Sequence, residues 1–107
     1  MARYLILWRM SSSALQPTDP SKSSELNEKM FAGIDGLIKK GDIEECGAFP
    51  DGTSGYVIAK GETIDIFRDA CMFQPYILVE VHEIIPYEKQ KEILRALLKA
   101  QIPTAKK

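Results

Sequence analysis

The chain holds a single histidine, His82, two residues after Glu80 in the run Ile77-Leu78-Val79-Glu80-Val81-His82-Glu83-Ile84-Ile85-Pro86. Imidazole is the side chain that exchanges protons near neutral pH, and a carboxylate beside it can orient the ring, so this pair is the candidate general acid/base. The run is rich in β-formers and reads as a strand, which places the two Cα atoms about 7 Å apart on one face. Alternation assigns Leu78, Glu80, His82 and Ile84 to that face. Ile77, Val79, Val81, Glu83 and Ile85 form the other, more apolar face, which we assign to a helix-covered core. The same pair would serve equally as a hydrogen bond within a dimer interface. No nucleophile or metal motif accompanies it, and that favours the interface reading over catalysis.

Other chemistry-bearing residues are weighed in the same way. Tyr4 and Trp8 share a face of the first strand, and Tyr56 on a neighbouring strand is expected near them. Together they could wall an apolar ligand pocket, with the phenols orienting the ligand, although plain packing of large aromatics is the simpler account. Arg9 and Arg68 read as solvated side chains. Cys46 and Cys71 are far apart, lack CxxC or Cys/His spacing, and read as small buried hydrophobes in a reducing, cytoplasmic setting. One histidine and two scattered cysteines are poor material for a metal site, so no metal and no cofactor are expected. Asp51-Gly52-Thr53-Ser54-Gly55 leads into a strand and not a helix, so it is not a phosphate loop.

Composition narrows the classes further. A formal net charge of −1 over 107 residues creates no field that would draw the chain to nucleic acid or anionic lipid. The N-terminal apolar run is interrupted by Arg9 and reads as a strand, not a secretory signal. No run is long enough for a membrane span. Lys89, Lys91, Arg95 and Lys99 make the last segment basic, a charge that Glu88 and Glu92 dilute.

The elements that position these residues follow from patterning. Tyr4–Met10 is a strand apolar on both faces, hence central. Ser11–Pro20 is a long, proline-punctuated loop and a candidate lid. Asp19-Pro20 opens a helix over Ser21–Lys40, with Leu26, Met30, Ile34, Leu37 and Ile38 as its stripe and Gly41 as its stop. Gly33 and Gly36 are tolerable inside it if the helix lies close against a sheet. Glu44–Phe49 and Tyr56–Ala59 form a hairpin around the Pro50–Gly55 turn. Thr63–Phe73 is a helix with Ile66, Phe67, Ala70, Cys71 and Phe73 inward. The histidine strand follows, then a helix over Tyr87–Gln101 that Pro103 ends, leaving a loose lysine tail.

This order predicts one α+β domain over residues 1–107. Its core (3–86) is a ferredoxin-like βαββαβ unit with a four-stranded antiparallel sheet, and residues 87–101 add a C-terminal helix. The first and last strands are apolar on both faces, so the open sheet face needs cover. A second copy packing sheet to sheet supplies it, and a homodimer is expected.

Gly55-Tyr56-Val57-Ile58-Ala59, Thr63-Ile64-Asp65-Ile66-Phe67, and Gln74-Pro75-Tyr76 running through Val79-Glu80-Val81 to Pro86 carry a resemblance. With this element order, the chain resembles the dimeric α+β barrel superfamily, which includes antibiotic-biosynthesis-type monooxygenases, muconolactone-isomerase-like proteins and YciI-like proteins. It looks closest to the short members. The resemblance implies a homodimer that binds a small, largely apolar molecule between sheet and helices or at the dimer interface. It also implies an alternative, a cofactor-independent monooxygenase- or isomerase-type enzyme with His82 as base and Glu80 as its orienting partner. The histidine–aspartate pair associated with YciI-like proteins has no counterpart here. A third reading is a structural or regulatory dimerisation module without ligand.

Overall fold

Asp19 and Pro20 start the first helix as their chemistry requires. The Asp19 carboxylate accepts a hydrogen bond from the Ser21 amide at 2.9 Å, and Pro20 occupies the first turn, where no N–H is needed. The helix, α1 (Pro20–Lys40), carries Lys39 and Lys40 in its last turn. It ends at Gly41, which takes the left-handed conformation at φ 86°. There the Gly41 amide donates to the Ile38 carbonyl and the Asp42 amide to the Leu37 carbonyl, closing the helix in a Schellman pattern.

The remaining elements of this computed structural model, which describes residues 2–12 and 16–106 with side chains to residue 100, follow in order. They are β1 (Ala2–Met10), β2 (Ile43–Ala48), β3 (Ser54–Gly61), α2 (Thr63–Cys71), β4 (Ile77–Ile84) and α3 (Tyr87–Lys106). The four strands form an open antiparallel sheet in the order β2-β3-β1-β4, so the fold is α+β. Three helices accompany it among the described residues. Among the described residues no helix is long and apolar enough to cross a membrane.

The register fixes two faces. Tyr4 stands opposite Ala59 and Glu83, Ile6 opposite Val57 and Val81, and Trp8 opposite Gly55 and Val79, which puts these residues on the face covered by α1 and α2. Leu5 stands opposite Ile58 and His82, and Leu7 opposite Tyr56 and Glu80, on the open face. The buried apolar set is small: Tyr4, Leu37, Ile43, Ala59 and Ile66. Tyr4, Ala59 and Ile66 form its centre, and the Tyr4 hydroxyl shares a hydrogen bond with the Thr63 hydroxyl at 2.8 Å.

Three local expectations are corrected. On α2, Phe67 is 65 % exposed and Cys71 is exposed, against the inward placement that the sequence predicts. Ile66 and Ala70, four residues apart, define the buried line, and at 100° per residue Phe67 falls off it. The last helix runs through Pro103 to Lys106. Proline removes one backbone hydrogen bond there, but its fixed φ suits a helix. Neither glycine within α1 lies against the sheet: Gly33 faces the Met72 and Phe73 side chains, and Gly36 faces open space. Residues 13–15 of the expected lid and the end of the expected lysine tail, residue 107, lie outside the described residues.

Gly55 is the exception among interior positions. A methyl group there would collide with the Trp8 indole and the Gly47 carbonyl oxygen, so the indole can lie flat across β3 only above a glycine. Gly55→Ala is therefore expected to lower stability by about 1–3 kcal/mol through overpacking. Gly36→Ala, in open space on a helix, is expected to raise it by up to about 1 kcal/mol. Urea denaturation midpoints of the two variants should move in opposite directions.

Candidate functional site

The space between α1, α2 and the covered sheet face is not filled by side chains. It holds a cavity of about 530 Å³, open to solvent on one side. Ile6, Trp8, Val57 and Val79 form its sheet wall, Met30, Phe31 and Ile34 its helix wall, and Phe73 joins them from the turn after α2. The helical residues arrive there because Asn27, Met30, Ile34 and Leu37 recur at three- and four-residue spacing along α1. The sheet residues arrive because Ile6, Val57, Val79 and Trp8 share one side of the pleat. A volume of several hundred Å³ with apolar walls and few polar groups is what small-molecule sites commonly offer.

The polar lining consists of Asn27, Asp42, Asp69 and the Cys46 thiol. The Asp69 side chain is only 20 % exposed. Burial pushes its carboxyl above the ordinary value; Arg68 pulls it back and nearby Asp42 adds to the rise. Burial, followed by the charges of Asp35 and Glu45, also raises the Cys46 thiol. Cys46 is thus not set up as a thiolate nucleophile. The sequence reading missed Asp69, Asn27, Phe31 and Phe73. The heptad-like recurrence of Asn27, Ile34 and Phe31 beside Met30 was the available signal for the α1 residues; for Asp69 it was the three-residue step from Ile66.

Of the residues singled out in the sequence, the structure brings only part together. Trp8 lines the cavity. Tyr4 lies on the same sheet face but is buried in the core cluster, its hydroxyl engaged by Thr63. Tyr56 is not grouped with them: it stands opposite Leu7 on the open face, with its ring over Gly47. There its hydroxyl donates to Glu45 Oε2 at 2.6 Å, and that bond, foremost, raises the phenol above its ordinary range.

His82 and Glu80 do meet, with Nε2 and Oε2 2.5 Å apart, as their shared strand face requires. Both are on the open face and exposed, at 53 % and 67 % of the side chain. A polar contact so exposed contributes little by itself. The pair is therefore separated from the cavity by the thickness of the sheet. Among the described residues, no group of three or more His, Cys, Asp or Glu side chains is arranged to hold a metal ion.

The flanks of the long loop are tied down beside the cavity. The Ser11 amide donates to the Tyr76 carbonyl at 2.8 Å, and Gln16 Nε2 donates to that same oxygen and to Ser11 Oγ, each at 3.0 Å. Their neighbours Met10 and Ile77 line the cavity. No protein-family model matches the chain, and no curated protein is similar to it in sequence.

The raised Asp69 carboxyl sets a pH dependence. The folded protein holds this proton more tightly than the unfolded chain, so Asp69 opposes folding most strongly above its raised value. The penalty fades as pH falls towards the ordinary aspartate range. Asp69→Asn should therefore raise the thermal midpoint at pH 7–8, with the difference from wild type shrinking as pH is lowered through that window. A difference independent of pH would contradict this assignment.

Proposed function

We propose that the protein binds a small, largely apolar molecule in the cavity between α1, α2 and the sheet, as one half of a homodimeric α+β barrel. The cavity carries the ligand reading: a volume of about 530 Å³, walled by Trp8, Phe31, Phe73 and aliphatic side chains. The element order β-α-β-β-α-β and the strand order β2-β3-β1-β4 support a ferredoxin-like protomer. The uncovered face supports dimerisation, since Leu5, Leu7, Ile58, Leu78 and Ile84 are aligned there with no helix among the described residues packed over them. Free thiols at Cys46 and Cys71 are consistent with a cytoplasmic protein.

The alternatives meet this geometry differently. An enzyme using His82 as base would need its substrate on the open face, because a molecule in the cavity does not reach the imidazole. A dimerisation module without ligand would leave the cavity without a purpose.

Trp8 is the only tryptophan, and it lines the cavity, so its emission reports occupancy directly. Titration with naphthalene-sized aromatic and branched aliphatic probes should change Trp8 emission saturably for at least one class. Ala70→Phe, which fills part of the cavity, should weaken that probe by about tenfold or more, or 1.4 kcal/mol. His82→Gln should leave binding unchanged. No saturable change across the panel would overturn the reading.

The dimer is tested apart from the ligand. Leu7→Lys places a charge on the open face and should convert a dimeric mass in native mass spectrometry to a monomeric one, while leaving probe binding intact. A wild-type protein that is monomeric at all concentrations would refute the barrel.

A further inference from the structure

The C-terminal helix has the pattern of a core element and none of a core element's contacts. On α3, Ile93, Leu94, Leu97 and Leu98 form a stripe about 140° wide, the breadth expected of a helix with one buried side. All four are 49–56 % exposed. Among the described residues α3 packs along no other element. The radius of gyration is 19.4 Å and the longest extent 72 Å, against about 13 Å for a closed domain of this length. An isolated helix of this size is marginal in water, so the stripe needs a partner surface to persist.

A surface of matching character stands on α2. Ile64 and Phe67 are 69 % and 65 % exposed, and Cys71 completes an outward row at i, i+3 and i+7, with Met72 beside it at 58 %. Sheet-to-sheet dimerisation leaves this row uncovered, because α2 lies on the opposite side of the sheet. The two segments of the chain also carry opposite formal charge. Residues 87–107 carry six lysines and arginines and two glutamates, a formal charge of +4. Residues 1–86 carry eight basic and thirteen acidic side chains, a formal charge of −5. Locally, Lys89 lies on one flank of the α3 stripe and Lys91 and Arg95 on the other. On α2 the charge nearest the row is Arg68, which is paired with Asp65 at 2.9 Å, while Asp69 turns to the cavity side.

We propose that α3 is an exchanged arm: its apolar stripe packs on the Ile64–Phe67–Cys71 row of α2 in a second copy of the chain. The inference rests on the homodimer reading and adds to it the element that crosses between protomers. The connection from β4 is only Ile85-Pro86, and it sends α3 away from its own α2. The basic arm then meets the acidic body of the other protomer, and twofold symmetry repeats the contact.

Cys71 lies within the proposed docking row and makes the contact testable with the full chain. In a Cys46→Ser background, Ile93→Cys, Leu94→Cys, Leu97→Cys and Leu98→Cys are made one at a time. Each is oxidised with diamide and run on a non-reducing gel. At least one should give a covalent dimer, twice the 12.0 kDa chain, that is absent from the oxidised Cys46→Ser parent and disappears when Cys71→Ser is added. These positions are exposed, so the variants should retain the fold. Monomer alone in all four, or a dimer that survives Cys71→Ser, would overturn the proposal. Native mass spectrometry of the wild type separates the two failures. A dimeric mass without the Cys71 cross-link removes only the arm, whereas a monomeric mass removes both the arm and the dimer.

Discussion

A four-stranded sheet that is apolar on both faces needs cover on both, and this chain lays two helices over one face only. Much else in the structure follows from that imbalance. The pleat sends Tyr4, Ile6 and Trp8 to the covered side and Leu5 and Leu7 to the open side, so β1 cannot be satisfied by a single layer of helices. Even the covered side is incompletely filled. Its buried apolar set numbers five among the described residues, and a cavity stands where a tighter helix layer would have closed. Apolar burial is the main favourable term in folding, and a chain of this size has few other sources of stability.

The two faces divide the chemistry as well as the packing. On the covered side the polar groups are few and sit among apolar walls, so each is strongly affected. The Asp69 carboxyl and the Cys46 thiol are both pushed up by burial, towards their neutral forms. A cavity so lined favours an uncharged or weakly polar occupant. On the open side the polar groups pair with one another, within a strand or across strands: His82 with Glu80, Tyr56 with Glu45, and Arg3 with Glu44 at 2.8 Å. Such pairs contribute little while exposed, and more once a partner surface excludes water from them.

Glycine placement shows how narrowly the sheet is fitted. Trp8 extends across Gly55 on the covered face, and Tyr56 lies across Gly47 on the open one. In each case a large ring crosses a neighbouring strand at a residue without a side chain, and the ring supplies the packing surface the glycine lacks. The two aromatic–glycine pairs lie next to each other on β3 and face opposite ways, because the period of a strand is two. That single step in phase explains why Tyr56 is absent from the cavity that Trp8 lines.

Local rules sufficed for the elements themselves. Asp19-Pro20, Gly41, the Pro50–Gly55 turn and the alternation through Val79, Glu80 and His82 mark starts, stops and faces by chemistry that acts within a few residues. The meeting of His82 with Glu80 needed nothing more than a shared strand. Register is different, because it joins residues far apart in the chain. It decided that Tyr56 faces away from Trp8, and the phase in which α2 meets the sheet, set by Ile66 and Ala70, decided that Phe67 and Cys71 face solvent. The cavity could not be read from any one segment, since its walls come from α1, α2 and all four strands. Sequence patterning determined which side chains prefer to be buried. Only the tertiary structure decided which of them find cover within one chain, because cover depends on how distant elements are spaced, and here they leave both a cavity and a bare helix.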